Sequence, residues 1–272
     1  HGELRWELRE LPRQGSTPTH YPMTFGDTFD RVYWYIEQFH KASSYAAEAL
    51  GPHLEPLHPE WPVSVQWSIQ PFEMFCFATV PDVVMYAMLE NEAYHRLCRD
   101  IRDVNIAMCQ AVIAAGADFV FLGGPGREMM SPRLYEEFIV PDTQAITHAV
   151  HEAGGLIYSH ICSPIEPFLS KGYYGQMGID LFETLSPPPV GNVTSLAEAR
   201  QHLPESVCTR CNIGLDVLLR GNTEEIRATT QAIIDATRGT RHMVAASDYL
   251  FYDISLESVK TVVDTVREAG GH

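Results

Sequence analysis

From residue 116 to residue 268 short apolar runs alternate with stretches of helical period, and that alternation leaves few folds open. Runs at Phe119 to Leu122, Leu156 to His160, Leu181 to Thr184, Val207 to Cys211 and Met243 to Ser247 read as buried strands. Helices are expected from Ser131-Pro132 onward and near Asp142 to Ala153, Ile165 to Lys171, Ser195 to His202, Thr223 to Thr237 and Leu256 to Glu268. Ser131 is placed to cap a helix, with Pro132 at its first position, and Gly154-Gly155 to end one. Strands that alternate with helices imply a parallel sheet. A further strand is expected at Val63 to Ile69, with helices near Asp82 to Leu89 and Glu92 to Ala115 after it. The expected fold class is therefore α/β. An eight-stranded (β/α)8 TIM barrel would need two more strands, from the N-terminal part or from residues before His1.

The first sixty residues lack this order, since Pro12, Pro18, Pro22, Pro52, Pro56, Pro59 and Pro62 interrupt them. One helix is expected there, from about Thr28 to Leu50. The expected division is an irregular segment at 1–62 that packs on a barrel domain at 63–272. The charge balance, 35 acidic against 19 basic residues, gives −16 and argues against a nucleic-acid or anionic-membrane partner. Six cysteines are too sparse for a disulfide scaffold in 272 residues. With no apolar run of membrane-spanning length and no leader-like pattern, the cytoplasm is the expected compartment. Self-association stays open.

In a (β/α)8 barrel the reactive groups gather at the C-terminal ends of the strands. Those ends offer Gln66 and Gln70, the loop Gly123-Gly124-Pro125-Gly126, His160 and Cys162, Glu183, Cys211 and Asn212, and Asp248. His160 and Cys162 are two residues apart, so an extended chain aims both the same way. Imidazole, thiolate and carboxylate together suit zinc, with Glu183 as the third ligand and Asp248 or Cys211 as the fourth. Bound zinc lowers the pKa of a thiol or hydroxyl. Two ordinary core side chains are the alternative reading of His160 and Cys162. Asp248 and Asn212 are candidate catalytic residues, and Asp248 is either a ligand or a general acid or base. Gln66, Gln70, Gly123, Gly124, Tyr158 and Tyr249 are candidate substrate contacts. Tyr249, Phe251 and Tyr252 either line an apolar pocket or cap the barrel. Cys208-Thr209-Arg210-Cys211 stands without a second pair, and strand alternation puts its two thiols on opposite faces.

These residues together resemble the uroporphyrinogen decarboxylase superfamily. The resemblance rests on Gly116-Ala117-Asp118, Ser131-Pro132 with Tyr135 and Phe138, Pro141, His160-Ile161-Cys162, Gly178-Ile179-Asp180, and Asn212 followed by Val217-Leu218-Leu219 and Gly221. It implies a (β/α)8 barrel like that of cobalamin-independent methionine synthase. It also implies one of two chemistries: metal-free decarboxylation of porphyrinogens, or zinc-dependent methyl transfer involving corrinoid proteins and thiols. His160, Cys162 and Glu183 are similar to the methyltransferase branch. Gly123-Gly124 stands where the decarboxylase branch carries an aspartate, and Asp248 stands close to where the methyltransferase branch commonly carries a cysteine. The expectation is a zinc methyltransferase that joins a methoxylated or methylated small molecule to a corrinoid (cobalamin) protein or a thiol acceptor. The alternatives are a decarboxylase-like lyase and a non-catalytic barrel that binds a tetrapyrrole or small ligand.

Overall fold

The computed structural model describes residues 5, 7–11, 15–57, 61–67, 77–123, 130–250 and 253–270. Two compact units divide the chain: His1–Phe121 with Met129–Leu156, and Leu122–Glu128 with Ile157–His272.

The first unit opens with strands β1 (Glu7–Leu11) and β2 (Gly15–His20), which pair antiparallel in a sheet of their own. The N-terminal segment is thus more regular than expected. Prolines there had argued against order, yet a proline is tolerated in a sheet that offers edge positions. The long helix α1 (Asp30–Leu54) follows and buries Val32, Ile36, Ala46 and Leu54. Next come β3 (Ser64–Gln66), α2 (Val80–Leu89), α3 (Asn91–Ala114) and β4 (Phe119–Leu122). Thr79 caps α2 by accepting from the Asp82 amide. In α3 a stripe of Tyr94, Leu97, Cys98, Ile101, Val104, Met108 and Val112 is buried at three- and four-residue spacing. That stripe seats α3 between α1 and a later helix, α5, after the short α4 (Pro132–Leu134) and a π-helical turn, Tyr135–Ile139. The helix α5 spans Val140–Glu152. β3 and β4 run parallel, with Val65 beside Val120.

The second unit holds most of β5 (Leu156–His160), then α6 (Glu166–Leu169), α7 (Tyr173–Gln176), β6 (Leu181–Glu183), α8 (Leu196–Gln201), β7 (Cys208–Ile213), α9 (Leu215–Arg220), α10 (Thr223–Ala236), β8 (His242–Ala246) and α11 (Leu256–Glu268). β5 to β8 are parallel neighbours in chain order. Ser195, Asn222 and Ser255 cap α8, α10 and α11 through their side-chain oxygens. Ile157, Phe182 and Cys211 are fully buried, and Phe182 packs on Tyr174 of α7 with ring centroids 4.8 Å apart.

The two Gly-x-Asp motifs have one structural job, repeated once in each unit. Gly116 and Gly178 turn the chain at φ +106° and +73°, where a side chain would be strained. Asp118 then accepts the Val63 amide at 2.8 Å just before β3, and Asp180 accepts the Ile157 amide of β5 at 2.8 Å. Each carboxylate satisfies a strand-entry N–H that the ladder leaves free.

Candidate metal centre

Parallel register sets His160 of β5 directly beside Glu183 of β6. The imidazole stands between two carboxylates: Glu183 Oε1 is 3.5 Å from Nδ1, and Asp248 Oδ1 is 3.5 Å from Nε2. One ligand atom each from His160, Cys162 and Asp248 lies within 4.8 Å of the others, the sole such group among the described residues. Burial pulls the His160 imidazolium down, but hydrogen bonding and charge from Cys162 and Glu183 outweigh it and push its pKa up to about 9. Nε2 is buried and has no hydrogen-bond partner.

A chain of hydroxyls holds the three strand ends together. Ile161, between His160 and Cys162, donates its amide to the Glu183 carbonyl at 2.6 Å. Its own carbonyl accepts from Thr184 Oγ1 at 3.1 Å. Thr184 Oγ1 meets Ser186 Oγ at 2.5 Å, and Ser186 reaches the Ser247 carbonyl at 2.9 Å, one residue before Asp248. Thr184, Ser186 and Ser247 are all fully buried. The Tyr249 amide donates to Asp248 Oδ1 at 2.7 Å, which fixes the carboxylate, and the Tyr249 ring stacks on His160 with centroids 5.5 Å apart. Tyr249 is 72% exposed, so it covers the imidazole on the solvent side.

The His160–Asp248 distance fits a metal. An imidazole nitrogen about 2.0 Å and a carboxylate oxygen about 2.1 Å from one tetrahedral zinc stand about 3.4 Å apart. The observed 3.5 Å between Nε2 and Oδ1 is too long for a good hydrogen bond and right for two ligands of one ion. An orphaned buried nitrogen, a thiol and a carboxylate in one cluster are the donor set that zinc takes.

The other expected residues fall as follows. Glu183 is 7% exposed, sits on Nδ1 rather than in the group of three, and is paired with Arg210 of β7. Cys211 is wholly buried, outside the group, and burial pushes its thiol up, away from thiolate. Asn212 donates its amide to the Leu185 carbonyl at 3.0 Å, and so holds the loop after β6. Tyr158 stands two residues before His160 on the same face of β5. Gly123 follows β4 directly, and Gln66 ends β3 with an exposed side chain, in the first unit. Gln70, Gly124, Phe251 and Tyr252 lie outside the described residues. Arg210, Thr184 and Ser186 were not picked out from the sequence. A charged residue in a strand otherwise bound for the core was the available signal for Arg210.

A family model described as uroporphyrinogen decarboxylase (URO-D) matches residues 35–269. A uroporphyrinogen decarboxylase of Protochlamydia amoebophila is 27% identical over 185 residues, 67% of this chain and 47% of that protein. The chain thus spans about half the length of that curated relative. Among solved structures, a methyltransferase from Methanosarcina mazei aligns over 98% of this chain and 76% of its own, with TM-score 0.73 and 16% identity. A B12-independent methionine synthase from Shewanella sp. W3-18-1, in complex with selenomethionine, aligns over 97% and 75%, with TM-score 0.52 and 10% identity. At these identities the likeness speaks to fold, and it supports the expected α/β architecture of the URO-D and methionine synthase type. Among the described residues no helix is long and apolar enough to cross a membrane.

Proposed function

Because the chain belongs to the uroporphyrinogen decarboxylase family, we propose that it is a zinc-dependent methyltransferase of that superfamily. It moves a methyl group between a methoxylated or methylated small molecule and a corrinoid protein or thiol acceptor, in the cytoplasm. The observation that carries this reading is the convergence of His160, Cys162 and Asp248 within 4.8 Å, with Nε2 of His160 buried, without a hydrogen-bond partner and 3.5 Å from Asp248 Oδ1. A buried polar atom without a partner is costly unless something binds it. The methyltransferase fold of the Methanosarcina neighbour adds support.

When bound, zinc supplies Lewis acidity that favours the thiolate of an acceptor or polarises the oxygen of a methyl ether. The chain's own residues do the rest. His160, Cys162 and Asp248 would hold the ion, three protein ligands being the number that catalytic zinc sites use. Glu183 faces Nδ1 and would accept its N–H, so that His160 would bind the ion through Nε2 once that nitrogen has given up its proton to solvent. The exposed Tyr249 ring shields the imidazole from water and offers a face against which a methylated substrate can pack. Gly123-Gly124, in place of an acidic residue, favours methyl transfer over decarboxylation.

The test is a paired assay on zinc-loaded protein. One arm follows methyl transfer from methylcobalamin to 2-mercaptoethanol and from a methoxybenzene to cob(I)alamin. The other follows CO2 release from uroporphyrinogen. Methyl transfer that vanishes in Cys162→Ser is expected. CO2 release without methyl transfer would overturn the reading in favour of a decarboxylase, the activity named for the Protochlamydia relative.

A further inference from the structure

A buried guanidinium without a countercharge stands at the start of β7 and β8, the opposite end of those strands from Asn212 and Asp248. Arg200 of α8 is 8% exposed. Its Nη1 donates to the Val207 carbonyl at 3.1 Å, just before β7. Arg241, just before β8, donates from Nη1 to the neighbouring carbonyl, Ser206, at 3.4 Å. Its own carbonyl accepts the Thr209 amide at 3.0 Å. Two guanidiniums therefore sit on adjacent carbonyls, one buried and one exposed. Among the described residues no carboxylate pairs with either of them.

Nothing nearby makes up the missing negative charge. The groups whose charge reaches Arg200 are two thiols, Cys208 and Cys211. Burial pushes both thiols up, so neither is a thiolate at neutral pH. His242 faces Thr209 across the two strands, and burial together with the Arg200 charge pushes it down to about 4, so it is neutral as well. A guanidinium stays charged in proteins. A buried charge left unpaired is costly, and it favours any anion that can reach it.

The unused part of Arg200 selects the anion. With Nη1 spent on Val207, the Nε–Nη2 edge remains, and Nε is buried with no hydrogen-bond partner. Two parallel N–H groups on one planar edge match two oxygens of a carboxylate or a phosphate. Arg241 adds a second positive charge, and the charges of both arginines reach Cys208, which is only half-buried. Two guanidiniums suit the charge of a phosphate group, near −2 at neutral pH, better than the single charge of a carboxylate. We propose that Arg200 and Arg241 form a binding site for a small oxyanion, a phosphate or a phosphoryl group, at the foot of β7 and β8. The Nε–Nη2 edge of Arg200 grips two of its oxygens, and Arg241 balances its charge from the solvent side. The site uses none of the metal-binding residues and does not depend on the zinc reading.

Equilibrium dialysis of the full chain against radiolabelled inorganic phosphate, at fixed ionic strength in sodium chloride, tests the proposal. The overall charge of −16 repels anions, so saturable binding requires a local site. Because zinc could also take phosphate, Cys162→Ser is measured beside the wild type. Both should bind about one phosphate per chain at this site, as one bidentate edge provides. Arg200→Lys keeps the charge but loses the planar edge, and its affinity should fall about tenfold or more, the scale of a lost charge-assisted hydrogen bond. Arg241→Gln, a change at the surface, should weaken binding several-fold. Phosphate should raise the melting temperature of the wild type but not of Arg200→Lys, and the same melts show that each variant is folded. If Arg200→Lys does not fold, Arg241→Gln decides. Glycerol 2-phosphate bound as tightly as phosphate would support the proposal with a phosphorylated metabolite as the ligand, and weaker binding would support it with free phosphate. A wild type that binds no phosphate overturns the proposal. So does equal affinity in the wild type and either folded arginine variant, and so does binding that disappears in Cys162→Ser, which would assign the phosphate to the metal centre.

Discussion

Replacing Ser186 by alanine should loosen the joint between β5, β6 and β8 and weaken metal binding at a distance. Ser186 Oγ is fully buried and makes two contacts, 2.5 Å to Thr184 Oγ1 and 2.9 Å to the Ser247 carbonyl. Thr184 makes a third, 3.1 Å to the Ile161 carbonyl. Two hydroxyl hydrogens serve these three contacts, so the chain is already one donor short. Ser186→Ala removes a hydrogen bond worth about 1 kcal/mol net and leaves the Ser247 carbonyl in a dry interior, a penalty of about 1–3 kcal/mol. The sum is about 2–4 kcal/mol, which for a chain of this size lowers Tm by roughly 4–16 °C. Because Ser247 precedes Asp248 and Ile161 lies between His160 and Cys162, the same change spreads the ligand set, and zinc affinity should fall about tenfold. Thermal melts of metal-free protein and competition with a zinc-sensitive dye measure the two effects separately. An unchanged melt with unchanged zinc affinity would refute the coupling. A lowered melt with unchanged affinity would show that the hydroxyls hold the fold but not the ligands.

Three other outcomes follow from single residues. Gly191→Ala should destabilise the same loop, since a Cβ there would lie 2.3 Å from the Ser186 carbonyl oxygen and 2.9 Å from its Cβ; a melt equal to the wild type would contradict the packing. Asp248→Asn separates two roles: lost zinc in elemental analysis marks a ligand, whereas retained zinc with slowed methyl transfer marks a proton donor or acceptor. Asp142→Asn should stabilise the protein at neutral pH. Burial raises the Asp142 carboxyl from 3.8 to about 6, with Arg102 at 3.5 Å offsetting only part of it. A carboxyl raised on folding supports the native state below pH 3.8, and that support is lost as pH rises through about 6. The loss is about 3 kcal/mol, so the variant's advantage in urea melts should grow between pH 4 and pH 6 and then level off. A constant difference across that range would show that Asp142 does not titrate this way.

The strands from β4 to β8 were legible because each is a short apolar run with a punctuated start. Gly116 with Asp118 and Gly178 with Asp180 announce two of them. Ser131 with Pro132 marked one helix start in advance, whereas the caps at Ser195 and Ser255 appear only in the structure. The hairpin of β1 and β2 was not, because the prolines around it carry the stronger local signal. The short helices α7 and α9 span too few residues for a period to show. At the site, His160, Cys162, Glu183 and Asp248 all stand at or just past strand ends, where barrel chemistry gathers. What the sequence did not disclose is how they divide the work. Glu183 faces Nδ1 of His160 and pairs with an arginine two residues before Asn212, and nothing in the spacing marks that pairing. Thr184 and Ser186 look like ordinary loop residues before a proline run. Their role appears only when three strand ends converge.

The central claim is that His160, Cys162 and Asp248 hold zinc, and elemental analysis of the purified full chain tests it most directly. The measurement compares wild type, His160→Ala and Cys162→Ser after dialysis against a weak chelator. About one equivalent of zinc in the wild type is predicted, as a site with three protein ligands would retain, with little in either variant. Wild-type protein that stays metal-free after exposure to excess zinc, or variants that keep as much zinc as the wild type, would contradict the account.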